Sequence, residues 1–191
     1  DLVSAQKLSE DQLKKNEELK GSLARIVSPS VAEMIMSDPS GLKLGGSKCE
    51  VTMFFSDIRG FTTVSESLTP PELVKLLNEY LSPMTRIVLE EKGTLDKFIG
   101  DAVMALFNAP LDVTDHPERA CTAAVRMMAE LKHLNQGFQE RGMHTIDIGI
   151  GINTGPAVVG NMGADIRFDY TAIGDSVNLA SRLEGLNKYY G

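Results

Sequence analysis

No apolar run in the sequence approaches the roughly 18 residues that a membrane-crossing helix needs, so nothing here spans a bilayer as a helix. No secretory signal pattern is present either. Cysteine is scarce: Cys49 and Cys121 cannot build a disulfide framework, and two idle thiols fit a reducing, cytoplasmic setting. An excess of basic charge is also missing, since 19 Lys and Arg face 26 Asp and Glu for a net charge of −7. Residues 51–191 hold 12 of the bases and 18 of the acids, the reverse of what a nucleic-acid binder carries. The histidines, His116, His133 and His144, do not cluster and have no paired cysteines, which argues against zinc; His116 reads as a capping or surface residue. Neither GxSxG nor GxGxxG occurs. Gly41 and Gly46 have phosphate-loop spacing, but Ser47 stands where the lysine belongs. The chain starts at Asp1 without Met, which points to a piece of something longer.

What remains is ordinary globular material. With 191 residues, 42% hydrophobic and 24% charged, the chain has room for one domain and an appendage, and its core needs no metal or disulfide staple. Residues 1–26 are polar and helix-prone, and Leu19, Leu23 and Ile26 step at helical spacing. A solvated linker helix and a coiled-coil stub both fit them. Ser28-Pro29-Ser30 opens a short helix over 30–37, and 41–47 reads as a Gly-rich loop.

Residues 50–56 (EVTMFFS) read as a buried strand. Thr69-Pro70-Pro71-Glu72 starts a helix carrying Leu73, Leu77, Tyr80, Met84 and Ile87, which Pro83 should kink or divide. Residues 94–99 and 102–107 are strand-like, with the two-residue turn Gly100-Asp101 of a hairpin between them. A helix is expected over 117–140, and strands over 145–152 and 157–160 around a turn at Thr154-Gly155-Pro156. A loop rich in Gly and Asp follows, and Asp175-Ser176 then caps a last helix. This order predicts an α+β sandwich, with a mixed or antiparallel sheet and helices packed on one face.

Asp57 ends the first strand and Asp101 sits in the hairpin turn. If the hairpin pairs beside the first strand, both carboxylates meet at one sheet edge, a donor set suited to Mg²⁺. The same residues also suit a plain turn and a plain strand end. Asn178 and Arg182 share one face of the last helix, where an amide and a guanidinium can hold sugar and phosphate oxygens; a solvated face reads equally well. Lys97 is unusual within an apolar strand unless its head reaches solvent, a ligand or a partner. Thr171 could turn its hydroxyl to a cleft, and alone means little.

Together, FFSDIRGFT (54–62), GTLDKFIGDAVMALF (93–107) and DYTAIGDSVNLASRLE (169–184) resemble the class III nucleotidyl cyclase catalytic domain, in its bacterial adenylate cyclase form, across about residues 48–191. The resemblance implies a ferredoxin-like sandwich and an enzyme that turns ATP into 3′,5′-cyclic AMP and pyrophosphate. It implies that Asp57, Asp101 and the Ile58 carbonyl bind two Mg²⁺ (or Mn²⁺). It further implies that Lys97 and Thr171 read the adenine edge, that Asn178 orients the ribose, and that Arg182 stabilises the α-phosphate transition state. Guanine-selective members typically carry Glu and Cys where Lys97 and Thr171 stand. Diguanylate cyclases should show GG[DE]EF, where this chain has Ile99-Gly100-Asp101-Ala102.

In such domains the site is shared between protomers, which implies a homodimer. Such domains also continue into further strands carrying a triphosphate-binding base, and here those C-terminal strands are expected to be missing. Residues 1–47 then correspond to a helical segment transmitting a signal from an upstream sensor, and 48–191 to the catalytic domain. A guanylate cyclase, or a catalytically silent dimerisation or nucleotide-sensing module, stands as the alternative.

Overall fold

In the computed structural model, which describes residues 12, 14–19, 21–22, 27–37 and 43–190, the central element is β1 (Gly45–Ile58). Its second half is buried on both sides: Phe54 and Ile58 enter one core, and Val51, Met53 and Phe55 enter another. Two-sided burial is why EVTMFFS is a continuous apolar run without alternation.

Beside β1 lie β3 (Ala102–Phe107) on one flank and β4 (Ile148–Ala164) on the other, with β2 (Thr94–Ile99) and β5 (Arg167–Ile173) at the edges. The order is β2-β3-β1-β4-β5, and every pair is antiparallel. The first four strands form the ferredoxin-like unit, with α3 (Pro70–Glu90) linking β1 to β2 and α4 (His116–Glu140) linking β3 to β4. Two short helices, α1 (Pro29–Ser37) and α2 (Phe61–Glu66), precede β1 and α3.

The two long helices share one face of the sheet, as expected. Leu76, Tyr80, Met84 and Val88 of α3 meet Ala120, Ala123 and Met127 of α4 over Phe54 and Phe107. The last helix, α5 (Asp175–Tyr190), instead crosses the opposite face, with Ala180 against the Val51, Met53 and Phe55 cluster. Gly151 leaves that side of β4 bare, so the helix backbone at Ala180 and Glu184 can settle onto the strand, while Gly149 makes room for the paired Arg59 and Glu184 side chains.

Several local expectations change. Pro83 does not divide α3, which runs from Pro70 to Glu90; proline removes one helical bond, and burial of Met84, Ile87 and Val88 holds the turns beyond it. No turn forms at Thr154-Gly155-Pro156, because β4 continues through all three. β5 joins only at Val158, so at Pro156 β4 is still an edge strand, where proline is tolerated. The Gly- and Asp-rich segment after it is the end of β4 plus β5, which places Thr171 on a strand. Gly45–Ser47 belong to β1 and not to a loop. His116 is buried, with Nδ1 2.7 Å from Thr52 Oγ1, and is not a surface residue. Of the N-terminal helical reading, 14–19 are helical and Leu19 is exposed; Leu23 and Ile26 lie outside the described residues.

Candidate active site

The hairpin does pair beside β1. Ser56 faces Val103 in the ladder, so the Gly100-Asp101 turn comes level with the end of β1. Gly100 has φ +66°, the left-handed conformation that glycine supplies without strain. The Ile58 amide then donates to Asp101 Oδ2 at 3.1 Å, tying the turn to the strand end that carries Asp57. Burial, and then the Asp57 carboxyl beside it, pushes the Asp101 pKa up to about 7. Tyr80 of α3 lies buried nearby; burial chiefly pushes its hydroxyl up to about 12, and Asp101 and Asp57 add to this.

Two crowded carboxylates repel each other until a proton or a cation comes between them. Among the described residues, no group of three or more His, Cys, Asp or Glu forms a metal cage. Two carboxylates at a strand end and a turn are a donor set that would suit a hard ion keeping water and phosphate as its other ligands, as Mg²⁺ does.

A pH test follows from this crowding. In the unfolded chain Asp101 titrates at about 4. Between that value and about 7 the folded protein holds a proton that the unfolded chain has lost, so stability falls as pH rises through this window. The thermal midpoint of metal-free protein is expected to drop from about pH 5 to about pH 8, and Asp101→Asn to reduce that drop. An unchanged slope in the variant would remove the crowding from the account.

Lys97 and Thr171 come from opposite edges of the sheet, β2 and β5, yet both meet Asp96. Thr171 Oγ1 donates to Asp96 Oδ2 at 2.5 Å. Lys97 Nζ stands 3.5 Å from Asp96 Oδ1 and 3.5 Å from Asp169 Oδ2. An open pocket of about 630 Å³ adjoins them, lined in part by Asp96, Lys97, Asp169 and Arg167. The sequence reading missed Asp96. Its signal was there: in TLDKFI two adjacent charges cannot both be placed by strand alternation, and β2 has a bulge between Leu95 and Lys97.

Asn178 and Arg182 lie one turn apart on α5, both exposed. Their helix is held by Asn153 Nδ2 donating to the Ser176 carbonyl (2.9 Å) and by Asn187 Nδ2 donating to the Ile150 carbonyl (3.0 Å). The Arg59–Glu184 ion pair (3.2 Å) adds a further tie. Among the described residues, no hydrogen bond or ion pair joins Asn178 or Arg182 to the carboxylate pair or to Lys97 and Thr171. The chain thus carries three polar groups: a carboxylate pair, a cation–hydroxyl pair and an amide–guanidinium pair.

These groups lie on a fold with known relatives. Residues 46–189 match the family model described as the adenylate and guanylate cyclase catalytic domain. The chain belongs to that family. It is 46% identical over 142 residues to adenylate cyclase 1 of Rhizobium meliloti (strain 1021), a match that covers 74% of this chain and 21% of that protein. Among solved structures, the adenylyl cyclase CyaB from P. aeruginosa superposes with a TM-score of 0.72 at 46% identity, covering 74% of each chain. The guanylyl cyclase Cya2 superposes at 0.71 with 42% identity, covering 74% of this chain and 72% of that one. The chain spans about a fifth of the length of its curated Rhizobium relative. No helix among the described residues is long and apolar enough to cross a membrane.

Proposed function

We propose that this domain is an adenylate cyclase, forming 3′,5′-cyclic AMP and pyrophosphate from ATP at sites shared by two copies of the chain. The ribose 3′-oxygen attacks the α-phosphorus in line. A new P–O bond closes the ring, the bond to the β-phosphate oxygen breaks, and the 3′-hydroxyl proton passes to solvent. Asp57 and Asp101, with the Ile58 carbonyl, would hold two Mg²⁺ (or Mn²⁺). When bound, these ions supply Lewis-acid activation of the 3′-hydroxyl and neutralisation of the triphosphate.

The chain's own residues do the rest. Lys97 donates to a ring nitrogen of adenine, and Thr171 accepts from the exocyclic amine. Asn178 orients the ribose. The Arg182 guanidinium offers a fork of donors to the charge that develops on the α-phosphate. No covalent enzyme intermediate is required, so positioning and charge stabilisation carry the rate.

The observation that carries this reading is the Asp101–Ile58 contact, which gathers two carboxylates at one sheet edge while Asn178 and Arg182 stand exposed and unpaired on another element. The separation supports a shared site, with the carboxylates from one protomer and the base- and phosphate-contacting groups from its partner. The segment 1–47 would transmit an upstream signal. In support, Ser30 of α1 hydrogen-bonds Thr94 at 2.9 Å, on the strand that carries Lys97.

The test is product identity with Mg²⁺ and each nucleotide. ATP is expected to yield cyclic AMP, with GTP about tenfold poorer if one well-placed hydrogen bond separates them, worth roughly 1.4 kcal/mol. Cyclic GMP as the main product would make the domain a guanylate cyclase. Silence with both nucleotides would favour a dimerisation or nucleotide-sensing module.

A further inference from the structure

Asp96 lies within the 93–107 motif, but neither the sequence reading nor the reaction above gives it a role. It occupies the extra position of the β2 bulge: Leu95 pairs with Ala105 and Lys97 with Met104, which leaves Asp96 without a partner in the ladder. A bulge interrupts the alternation of sides, so neighbouring residues can serve the same place. Both Asp96 and Lys97 accordingly reach β5. The Asp96 side chain is 0% exposed; Thr171 donates to its Oδ2, and Lys97 Nζ stands 3.5 Å from its Oδ1, which has no hydrogen-bond partner among the described residues.

A lone hydroxyl reads either kind of partner, since it has one hydrogen to give and two lone pairs to accept with. A carboxylate only accepts. With the hydrogen of Thr171 committed to Asp96 Oδ2, Thr171 Oγ1 has only lone pairs left to offer a ligand. Adenine presents an amine where guanine presents a carbonyl. We propose that Asp96 is a specificity-positioning residue, which fixes Thr171 as an acceptor and Lys97 beside it, so that the pair takes an amine and refuses a carbonyl. This rests on the reading of Lys97 and Thr171 as the base-contacting pair. Burial raises the Asp96 pKa, while the hydrogen bond from Thr171 and the charge of Lys97 favour its accept-only, ionised form.

The test is Asp96→Asn, which keeps the shape. Lys97 draws the amide oxygen to its side, the NH₂ turns to Thr171, and the hydroxyl hydrogen is free for a carbonyl. Two readouts are taken: kcat/KM with Mg²⁺ and ATP or GTP, and calorimetric binding of 3′-deoxy-ATP and 3′-deoxy-GTP, which cannot cyclise. The ATP:GTP ratio is expected to fall about tenfold in both. Thr171→Val breaks the same bond from the other side and is expected to lower the ratio comparably. Asp96→Asn added to Thr171→Val is expected to change the ratio no further. A ratio unchanged in Asp96→Asn, a uniform loss with both nucleotides, or a full second drop in the double variant would overturn the role of Asp96. A wild-type protein that neither forms cyclic AMP nor prefers 3′-deoxy-ATP would overturn the cyclase reading itself.

Discussion

Asp57→Ala and Arg182→Ala are each expected to lower cyclic AMP formation about a thousandfold, because under the proposed mechanism one removes a metal-ligating carboxylate and the other a transition-state donor. Mixing the two inactive proteins is expected to restore roughly a quarter of wild-type activity, since random pairing of protomers in a two-fold dimer makes half the dimers mixed, each with one intact site. Neither substitution should unfold the protein. Arg182 is exposed and, among the described residues, unpaired. Asp57 shares its place with a like-charged neighbour whose pKa it helps to raise, so its loss relieves repulsion. The recovery is what discriminates. If one protomer supplied the whole site, each variant would stay dead in the mixture. Activity measured against mixing ratio, with thermal melts of both variants alongside, decides the matter. A mixture as silent as its components would place both groups in one protomer's site.

How much of this was legible in the sequence differs by element. The paired carboxylates were, because a strand end and a two-residue turn at fixed spacing leave little freedom once the hairpin lies beside β1. The antiparallel α+β architecture was too, since the Gly100-Asp101 turn forces β2 and β3 together. Proline and glycine misled in the second half. Pro156 and Gly155 look like a turn locally, yet the ladder to β1 from Gly45 to Ile58 overrides that preference. Gly151 falls inside the expected strand 145–152 with no role of its own there, and is a seat for α5 on the sheet face away from α3 and α4. That seat is set by a contact some thirty residues along the chain, which local spacing does not encode. Asp96 was missed for the same reason. Its partner Thr171 lies 75 residues away on the opposite edge strand, and only the folded sheet joins them.

Gly151→Ala is expected to lower stability by about 3 kcal/mol and to cost activity as well. A Cβ at position 151 would stand 2.2 Å from both the Ala180 carbonyl oxygen and the Glu184 amide nitrogen, and 2.8 Å from Glu184 Cα. All three are backbone atoms of α5, so no rotamer change relieves the clash, and the helix must lift off β4. Lifting it withdraws Ala180 from Val51, Met53 and Phe55 and moves Asn178 and Arg182 with it. A displacement of about 1 Å in a positioning element can cost on the order of a hundredfold in rate. Gly185→Ala is the control on the same helix: its added Cβ meets nothing within 4 Å. That substitution is expected to be neutral or to stabilise by up to about 1 kcal/mol through helix propensity. Urea midpoints and cyclic AMP rates for the two variants, side by side, separate seating from propensity. If Gly151→Ala matched wild type in both, close seating of α5 on β4 would not be what positions the amide–guanidinium pair.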